Sequence, residues 1–264
     1  MPLTKAKLKE LRGLSSRKHR DENAVFMVEG LRLIQEAVAS DHTMVEAYYT
    51  SDILEHPSGQ ALIQKLKRKS AHTELIPARD MDAIAETVTT QGIIAVLAQK
   101  TWSAESVLQE NSAQSIIVAV DSLADPGNLG SMVRTCDWFG VHGMLIGRNS
   151  VDLYNPKVLR STMGGIFHLP VVENVDLLPA LSKARAMGYR VYATDASGEA
   201  HFDRVRFAIK SVIVFGNEAW GVSDQIKQLA DERIAIRRYG AAESLNVGVA
   251  CGIVLSGVHR LYDE

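Results

Sequence analysis

From residue 116 onward, short apolar runs alternate with segments of helical periodicity, and this alternation limits the possible folds more than any other feature. IIVAV at 116–120 is a continuous apolar run, typical of a strand buried on both faces. Residues 127–140 repeat apolar side chains at helical spacing. We predict further strands at 143–147, 168–172, 189–194, 211–216 and 233–236, with helices near 156–163, 176–187, 223–230 and 245–260. This order predicts an α/β fold with a mostly parallel sheet.

The first hundred residues predict a separate, smaller α/β unit. Strands are expected at 25–28, around Tyr48 and Tyr49, and at 92–98, and helices at 1–14, 31–40 and 61–70. A basic turn should follow the first helix. Residues 101–115 are polar and poorly patterned, which indicates a linker with at most one helical turn. We therefore divide the chain into residues 1–100, a linker at 101–115, and a larger domain at 116–264.

Positive charge is concentrated at the N terminus. The whole chain has 29 Lys and Arg against 31 Asp and Glu, so its net charge of −2 indicates no nucleic-acid partner by itself. Residues 1–20 nevertheless carry a local charge of +6, with Glu10 as their one acidic residue. This segment is either a solvated helix or a source of phosphate contacts, for which Arg17, Lys18 and Arg20 are the candidates.

The two cysteines, Cys136 and Cys251, are too few for a disulfide framework or a four-cysteine zinc site within one chain. We expect both thiols to be reduced and packed as small apolar groups. No paired-histidine spacing suggests a metal, and the first residues lack the apolar block of a signal peptide. No apolar stretch is long enough to cross a bilayer. The sequence therefore predicts a cytoplasmic protein without a metal site or a membrane partner.

Polar segments, three of them glycine-rich, follow four predicted strands at the positions where ligands bind in parallel α/β sheets. The glycine patterns of phosphate loops and dinucleotide sites are absent, which disfavours an ATPase or a dehydrogenase. A G-x-S-x-G nucleophile turn is absent too. The four segments are DSLADPGNLG from 121, TDASG from 194, GNEAWG from 216 and RRYGAAESLN from 237.

Four polar residues of these segments, and Arg134 on the helix that follows the first of them, can be interpreted from the sequence. Arg134 lies off the apolar stripe of its helix, so it is either solvated or faces a cleft to bind a phosphate. Asn128 fits a helix N-cap. Glu218 either caps the next turn or accepts hydrogen bonds from a ligand. Capping explains one of Ser244 and Asn246, at the start of the last helix, but hardly both.

Three segments together resemble the motifs of the SpoU, or TrmH-type, RNA ribose methyltransferases. They are DPGNLGSMVRTCDWFG (125–140), IVFGNEAWGVS (213–223) and IAIRRYGAAESLNVGVA (234–250), and they stand in the family's order. Residues 152–171 resemble the family's middle segment. The basic turn and FMVEG at 16–30 resemble the start of the substrate-binding domain in its ribosomal RNA enzymes.

The resemblance implies a SPOUT methyltransferase domain with a C-terminal trefoil knot, S-adenosylmethionine as cofactor, and a homodimer. It implies Asn128, Arg134, Glu218, Ser244 and Asn246 as polar active-site residues, with Arg134 also contacting RNA. The cofactor residues implied are Thr194, Gly216, Asn217, Glu218, Ile236, Leu245 and Asn246. The family usually has Ile-Pro followed by an apolar residue where this chain has Ile236, Arg237 and Arg238, which adds positive charge near the site.

The resemblance implies methylation of a ribose 2′-hydroxyl in RNA. The N-terminal unit favours ribosomal RNA, 23S in particular, over transfer RNA, because transfer RNA relatives carry short helical extensions instead. Two alternatives stay open: a transfer RNA 2′-O-methyltransferase, and a noncatalytic RNA-binding or ribosome-assembly factor on the same scaffold. Retention of the five polar residues argues against the noncatalytic alternative.

Overall fold

The computed structural model describes residues 1–109, 114–198 and 200–260. They form two compact units. The first contains residues 1–100 and 154–167, and the second contains 101–153 and the chain from 168 onward. Residues 154–167, which our sequence-based division places in the larger domain, group with the first unit, where the rings of Tyr154 and Phe26 lie 4.5 Å apart.

Helices and strands alternate through the first hundred residues. The helices are α1 (Lys5–Gly13), α2 (Arg17–Asn23), α3 (Leu31–Ala39), α4 (Pro57–Lys69) and α5 (Ala78–Ile84). The strands are β1 (Val25–Glu29), β2 (Met44–Tyr49), β3 (His72–Leu75) and β4 (Ile93–Ala98). They form a sheet of order β1-β4-β2-β3, in which β4 is antiparallel to both neighbours and β3 is parallel to β2. Its core includes Leu11, Met27, Tyr48, Met81 and Ile94.

The segment predicted as a basic turn is instead a helix, α2. Its residues lack apolar periodicity, which is why the sequence pattern did not reveal it. Ion pairs between successive turns support the helix, Arg17 with Asp21 at 3.4 Å and Lys18 with Glu22 at 3.8 Å. Arg20 is buried, and it donates hydrogen bonds to the carbonyl oxygens of Leu14 (2.6 Å) and Ser15 (2.8 Å).

Helices and strands also alternate through most of the rest of the chain. The helices are α6 (Ala104–Leu108), α7 (Pro126–Trp138), α8 (Pro156–Thr162), α9 (Leu177–Ala186), α10 (Asp224–Leu229) and α11 (Val247–Arg260), with α8 in the first unit. The strands are β5 (Ser115–Val120), β6 (Gly143–Gly147), β7 (Val171–Val175), β8 (Arg190–Thr194), β9 (Ala200–His201), β10 (Lys210–Phe215) and β11 (Glu232–Ala235).

Within the described residues, the second unit has a seven-stranded sheet of order β7-β6-β5-β10-β8-β11-β9. Every neighbouring pair is parallel, which confirms the predicted parallel sheet. The strand predicted at 168–172 begins later, at Val171, directly after Pro170, which has no N–H for a ladder. Part of the predicted linker, residues 110–113, lies outside the described residues. The trefoil knot stays a prediction.

The strand order brings the motif segments to one edge of the sheet. β10 lies between β5 and β8, and β11 lies beside β8. Because these strands are parallel, the segments that follow them leave the sheet at the same edge.

The described residues include no helix that combines the length and apolar character needed to cross a membrane.

Helices α7 and α11 pack against each other and carry the first and third motifs. Cys136 of α7 and Cys251 of α11 are both buried free thiols, as predicted. A hydrogen bond with Cys251, together with burial, raises the pKa of the Cys136 thiol well above its ordinary value. A Cβ added at Gly248 of α11 would lie 3.5 Å from Cβ of Ser131, so the start of α11 lies close to α7.

Candidate active site

Helix α7 begins at the carboxyl edge of the sheet, directly after the β5 segment. Asp125 is its N-cap, because the carboxylate accepts a 2.8 Å hydrogen bond from the backbone N–H of Asn128. Pro126 follows at the first helical position, where the missing N–H costs nothing. Asn128 therefore lies inside the first turn, and its interpretation as an N-cap is wrong. Its side chain is left available for other partners.

Three predicted site residues from three motifs meet in a hydrogen-bonded group, which we call the Asn128–Glu218–Asn246 cluster. The amide nitrogen of Asn128 donates to Oε1 of Glu218 at 2.9 Å. The amide nitrogen of Asn246 donates to Oδ1 of Asn128 at 2.8 Å. The cluster thus joins α7, the segment after β10, and the start of α11.

Glu218 fastens the segment after β10 to the segment after β5. Its carboxylate accepts hydrogen bonds from the backbone N–H groups of Ala124 at 3.2 Å and Asp125 at 3.1 Å. Partial burial favours the neutral acid, but the hydrogen bonds from Asn128 and from the backbone outweigh it and hold the pKa of Glu218 below its ordinary value. The carboxylate therefore stays ionised at neutral pH. It does not cap its own following turn, because its partners lie on another segment.

The segment after β10 turns back on itself at Gly216. A Cβ at Gly216 would lie 2.0 Å from the carbonyl carbon of Gly221, so no larger residue fits. Asn217 and Gly221 exchange backbone hydrogen bonds of 3.0 and 2.9 Å. The buried side chain of Asn217 donates to the carbonyl oxygen of Ser122 at 2.7 Å. Asn217 therefore shapes this loop through both its side chain and its backbone.

The third-motif segment is open. Within the described part of the chain, residues 237–245 make no hydrogen bond or ion pair, so their backbone groups are available to a ligand. Leu245 is 51% exposed, Ser244 is exposed and Ile236 is half-buried. Asn246 ends the segment as a cap of α11, because its side-chain oxygen accepts from the N–H of Gly248 at 2.9 Å. Capping therefore falls to Asn246 and leaves Ser244 unexplained by helix structure.

Thr194 and Asp195 lie at the end of β8. The hydroxyl of Thr194 donates to the carbonyl oxygen of Val214 at 3.0 Å. Asp195, which the sequence-based selection omits, accepts from both the N–H (2.9 Å) and the hydroxyl (2.8 Å) of Ser197, and Lys227 lies 3.5 Å away. Burial opposes ionisation, but these partners lower the pKa of Asp195. The sequence pattern that could have identified Asp195 is an Asp with a Ser two residues later, directly after a predicted parallel strand.

Arg134 lies outside the cluster. It follows Asn128 by six residues on α7, which is about 9 Å along the helix axis. Its side chain is exposed and forms no hydrogen bond or ion pair within the described residues. The guanidinium is therefore free to bind an anion such as a phosphate.

Exposed residues near the motif segments extend the candidate surface. Trp220 is 66% exposed and Tyr239 is 88% exposed, and the sequence-based selection included neither. Such rings stack on nucleobases without sequence preference. Arg237 is half-buried and Arg238 is exposed.

Residues 1–109, 114–198 and 200–260 contain no group of three His, Cys, Asp or Glu side chains placed to hold a metal ion.

The three predicted RNA contacts at the N terminus differ in their exposure to solvent. Arg17 and Lys18 are exposed on α2. Arg20 is 2% exposed, and its guanidinium is bound to backbone carbonyl groups. Its prediction as a phosphate contact is therefore wrong, because a buried guanidinium that already has partners cannot reach a phosphate at the surface.

The chain is similar to known RNA methyltransferases over nearly its whole length. Residues 115–256 match the SpoU rRNA Methylase family, and residues 5–95 match the MRM3-like substrate binding domain. The 23S rRNA (guanosine(2553)-2′-O)-methyltransferase RlmP of Bacillus subtilis (strain 168) is 31% identical over 252 residues, which cover 94% of each chain.

Solved structures have the same fold. The AdoMet-bound rRNA methyltransferase from Sinorhizobium meliloti is 27% identical, with a TM-score of 0.86 over 98% of this chain and 96% of its own. The SpoU methyltransferase AviRb from Streptomyces viridochromogenes, crystallised with AdoMet, has a TM-score of 0.88 at 23% identity, over 99% of both chains. Together with the matched family model, these similarities show that the chain belongs to the SpoU rRNA methylase family.

Proposed function

We propose that this protein transfers the methyl group of S-adenosylmethionine to a ribose 2′-hydroxyl of RNA, with 23S ribosomal RNA as the substrate. The observation that carries the proposal is the Asn128–Glu218–Asn246 cluster, which joins the three motif segments at the carboxyl edge of the sheet. A family member similar over 94% of the chain is named as a 23S rRNA 2′-O-methyltransferase. The first unit, which matches a substrate-binding domain, favours ribosomal RNA over transfer RNA.

The residues present fit S-adenosylmethionine. Residues 237–245 offer backbone donors and acceptors that have no partner in the described chain, and half-exposed Leu245 offers apolar surface to an adenine ring. The absence of a side chain at Gly216 lets the loop fold back against Gly221 and Val222, which fixes the backbone beside the third-motif segment's neighbours in the sheet. We assign the cofactor contacts to these groups and to Thr194, Asn217, Glu218, Ile236 and Asn246. When bound, the cofactor supplies a methyl group activated by the positively charged sulfur.

Arg134 binds and orients the RNA in this proposal. A guanidinium stays protonated at neutral pH, so it is a poor general base. An exposed, unpaired guanidinium on α7 is well suited to hold a phosphate next to the reactive ribose and to stabilise negative charge that develops on the 2′-oxygen. Ser244, exposed and without a partner in the described chain, is the hydroxyl we assign to ribose positioning. Correct alignment of the oxygen supplies much of the rate enhancement.

The active form in this proposal is a cytoplasmic homodimer with a knotted C-terminal domain. Helices α7 and α11 pack together, and each exposes a large apolar side chain, Trp138 at 83% and Val249 at 52%. Burial of such side chains against a second copy would stabilise a dimer. Sedimentation equilibrium tests this part, and a monomer at micromolar concentration would contradict it.

Methyl transfer tests the function directly. Purified protein is incubated with tritiated S-adenosylmethionine and either a 23S rRNA transcript, ribosomal particles or bulk transfer RNA. We expect label in ribosomal RNA, and resistance of one phosphodiester bond to alkaline cleavage, because cleavage requires a free 2′-hydroxyl. Label in transfer RNA alone would overturn the substrate. Label without protection from alkali would overturn 2′-O transfer, and cofactor binding without transfer to any RNA would favour a noncatalytic factor.

A further inference from the structure

A groove with an unusual charge lies in the first unit, between α3 and α4. It has a volume of about 620 Å³. The two helices pack through buried apolar residues, which include Ile34 and Ala37 of α3 and Leu62 and Leu66 of α4. Helix α4 then turns its polar residues toward the groove. The lining residues that carry the argument are Gln35, Ser58, Lys65, Arg68 and Lys69, and the lining includes no Asp or Glu.

Two of the three lining cations have no partner. Lys65 and Arg68 are exposed, and neither forms an ion pair or hydrogen bond within the described residues. Lys69 is different, because its ammonium donates to the carbonyl oxygens of Ala37 (3.0 Å) and Val38 (2.9 Å) and also to that of Ser40. These carbonyls form the negative end of α3, which would otherwise repel an anion. Lys69 therefore neutralises the groove wall, while Lys65 and Arg68 stay available.

The N-terminal basic segment is less available than its composition indicates. Lys7 is paired with Glu10 at 2.8 Å and Glu46 at 2.6 Å. Arg17 and Lys18 have acidic neighbours on α2, and Arg20 is buried. The groove side of α4 instead presents cations without carboxylates, next to the neutral side chains of Gln35 and Ser58, which can donate and accept hydrogen bonds. That combination suits a chain of phosphates and hydroxyl groups.

We propose that the α3–α4 groove binds the phosphate backbone of the substrate RNA, with Lys65 and Arg68 contacting phosphates and Gln35 and Ser58 contacting phosphate or ribose oxygens. The proposal rests on the proposed function, because it requires an RNA substrate. The groove contributes sequence-independent affinity and leaves the chemistry to the second unit.

The test compares two double variants that remove equal charge. Lys65→Gln/Arg68→Gln removes the groove cations. Lys67→Gln/Arg206→Gln removes an exposed cation on the opposite side of α4 and another in the segment before β10, at the amino edge of the large sheet. Binding of labelled 23S rRNA transcript is measured over a range of salt concentrations, and S-adenosylmethionine affinity is measured by calorimetry. Circular dichroism and thermal melting verify that each variant is folded.

We expect the groove variant to bind RNA about tenfold or more weakly, with a slope of log affinity against log salt that is shallower by about 1–2. The control should keep the wild-type slope and affinity within about twofold, and both should bind the cofactor normally. Equal losses in the two variants, or no loss in the groove variant, would overturn the proposal while the wild type still methylates RNA. A wild-type protein that neither binds nor methylates RNA would instead refute the proposed function.

Discussion

Asn246 donates a hydrogen bond of 2.8 Å to the side-chain oxygen of Asn128, although the two residues lie 118 positions apart in the chain. The same Asn246 side chain caps α11 through its oxygen, and Asn128 passes the connection on to Glu218. A cap of one helix, a side chain in the first turn of another and a loop carboxylate therefore form one unit. Disturbing any member should affect the others.

Asn246 has two roles that substitutions can separate. Asn246→Ala removes both the cap and the bond to Asn128, and we expect the free energy of unfolding to fall by about 1 kcal/mol. Asn246→Ser keeps a capping oxygen but is too short to reach Asn128. It should unfold close to the wild type in urea and still lose methyl-transfer rate. Full activity in the serine variant would show that the bond to Asn128 is dispensable.

Glu218 should make stability depend on pH. Because its pKa lies below the ordinary value of 4.5, its stabilising contribution is complete above pH 4.5 and is lost as the pH falls through the lowered pKa. Glu218→Gln cannot titrate, so the difference in unfolding free energy between the two proteins should shrink on acidification. Urea titrations from neutral to acidic pH measure this difference. Since the side chain is exposed, we expect at most about 1 kcal/mol at neutral pH, and a difference that does not change with pH would contradict the assignment.

Gly216 should tolerate no side chain. In Gly216→Ala the new Cβ would lie 2.0 Å from the Gly221 carbonyl carbon and 2.1 Å from the Val222 nitrogen, so the loop must move. We expect destabilisation of about 3 kcal/mol and loss of cofactor binding. The matched control for stability is Gly240→Ala, whose Cβ would meet nothing within 4 Å. Equal melting temperatures for the two variants would show that the turn is not a steric constraint.

Arg134 should matter for turnover and not for the cofactor. Arg134→Ala removes an exposed side chain that has no partner in the described chain, so the fold should be unaffected. Loss of charge stabilisation at the reacting oxygen predicts a kcat lower by about 10²–10³-fold. Calorimetry with S-adenosylmethionine should give wild-type affinity. Retained turnover would remove Arg134 from the mechanism, whereas loss of cofactor affinity would place it in the cofactor site.

Arg20 should act on stability, and Arg17 and Lys18 on RNA binding. Arg20→Gln leaves the carbonyl groups of Leu14 and Ser15 without their charged donor, which we expect to cost about 1–3 kcal/mol. Arg17→Gln/Lys18→Gln should change stability by less than about 0.5 kcal/mol and reduce the salt dependence of RNA binding. Thermal melting and RNA titration give both quantities. The opposite distribution of effects would restore Arg20 as a phosphate contact.

A helix or strand is predictable from the sequence when an apolar pattern marks it. Strand β6 lies where apolar GMLIG predicts it, because a fully buried strand must be apolar throughout. Strand β3, with the sequence HTEL, was missed because it lies at the edge of its sheet and no apolar run marks it. Helix α2 was missed because ion pairs and one buried arginine stabilise it in place of an apolar stripe.

The candidate site, too, is only partly predictable from the sequence. The resemblance to the SpoU family brought Asn128, Glu218 and Asn246 into one hypothesis, and the structure joins them by hydrogen bonds. The sequence could not show that Asp125 caps α7, or that Glu218 accepts hydrogen bonds from the backbone N–H groups of residues 124 and 125. Those partners depend on how separate loops meet in the fold. The grouping of residues 154–167 with the first unit also lies beyond any local pattern.

Apolar periodicity and motif spacing are local properties of the chain, so they are sufficient to predict the strands and helices, the parallel sheet and the family. Which charged side chains have partners depends on contacts between distant parts of the chain. Arg20 donates its hydrogen bonds to carbonyl groups, and Lys7 forms ion pairs with carboxylates. By contrast, Arg134, Lys65 and Arg68 have no partner in the described residues. A charged group interacts most strongly with the groups that lie within a few ångströms of it, and the fold sets those distances.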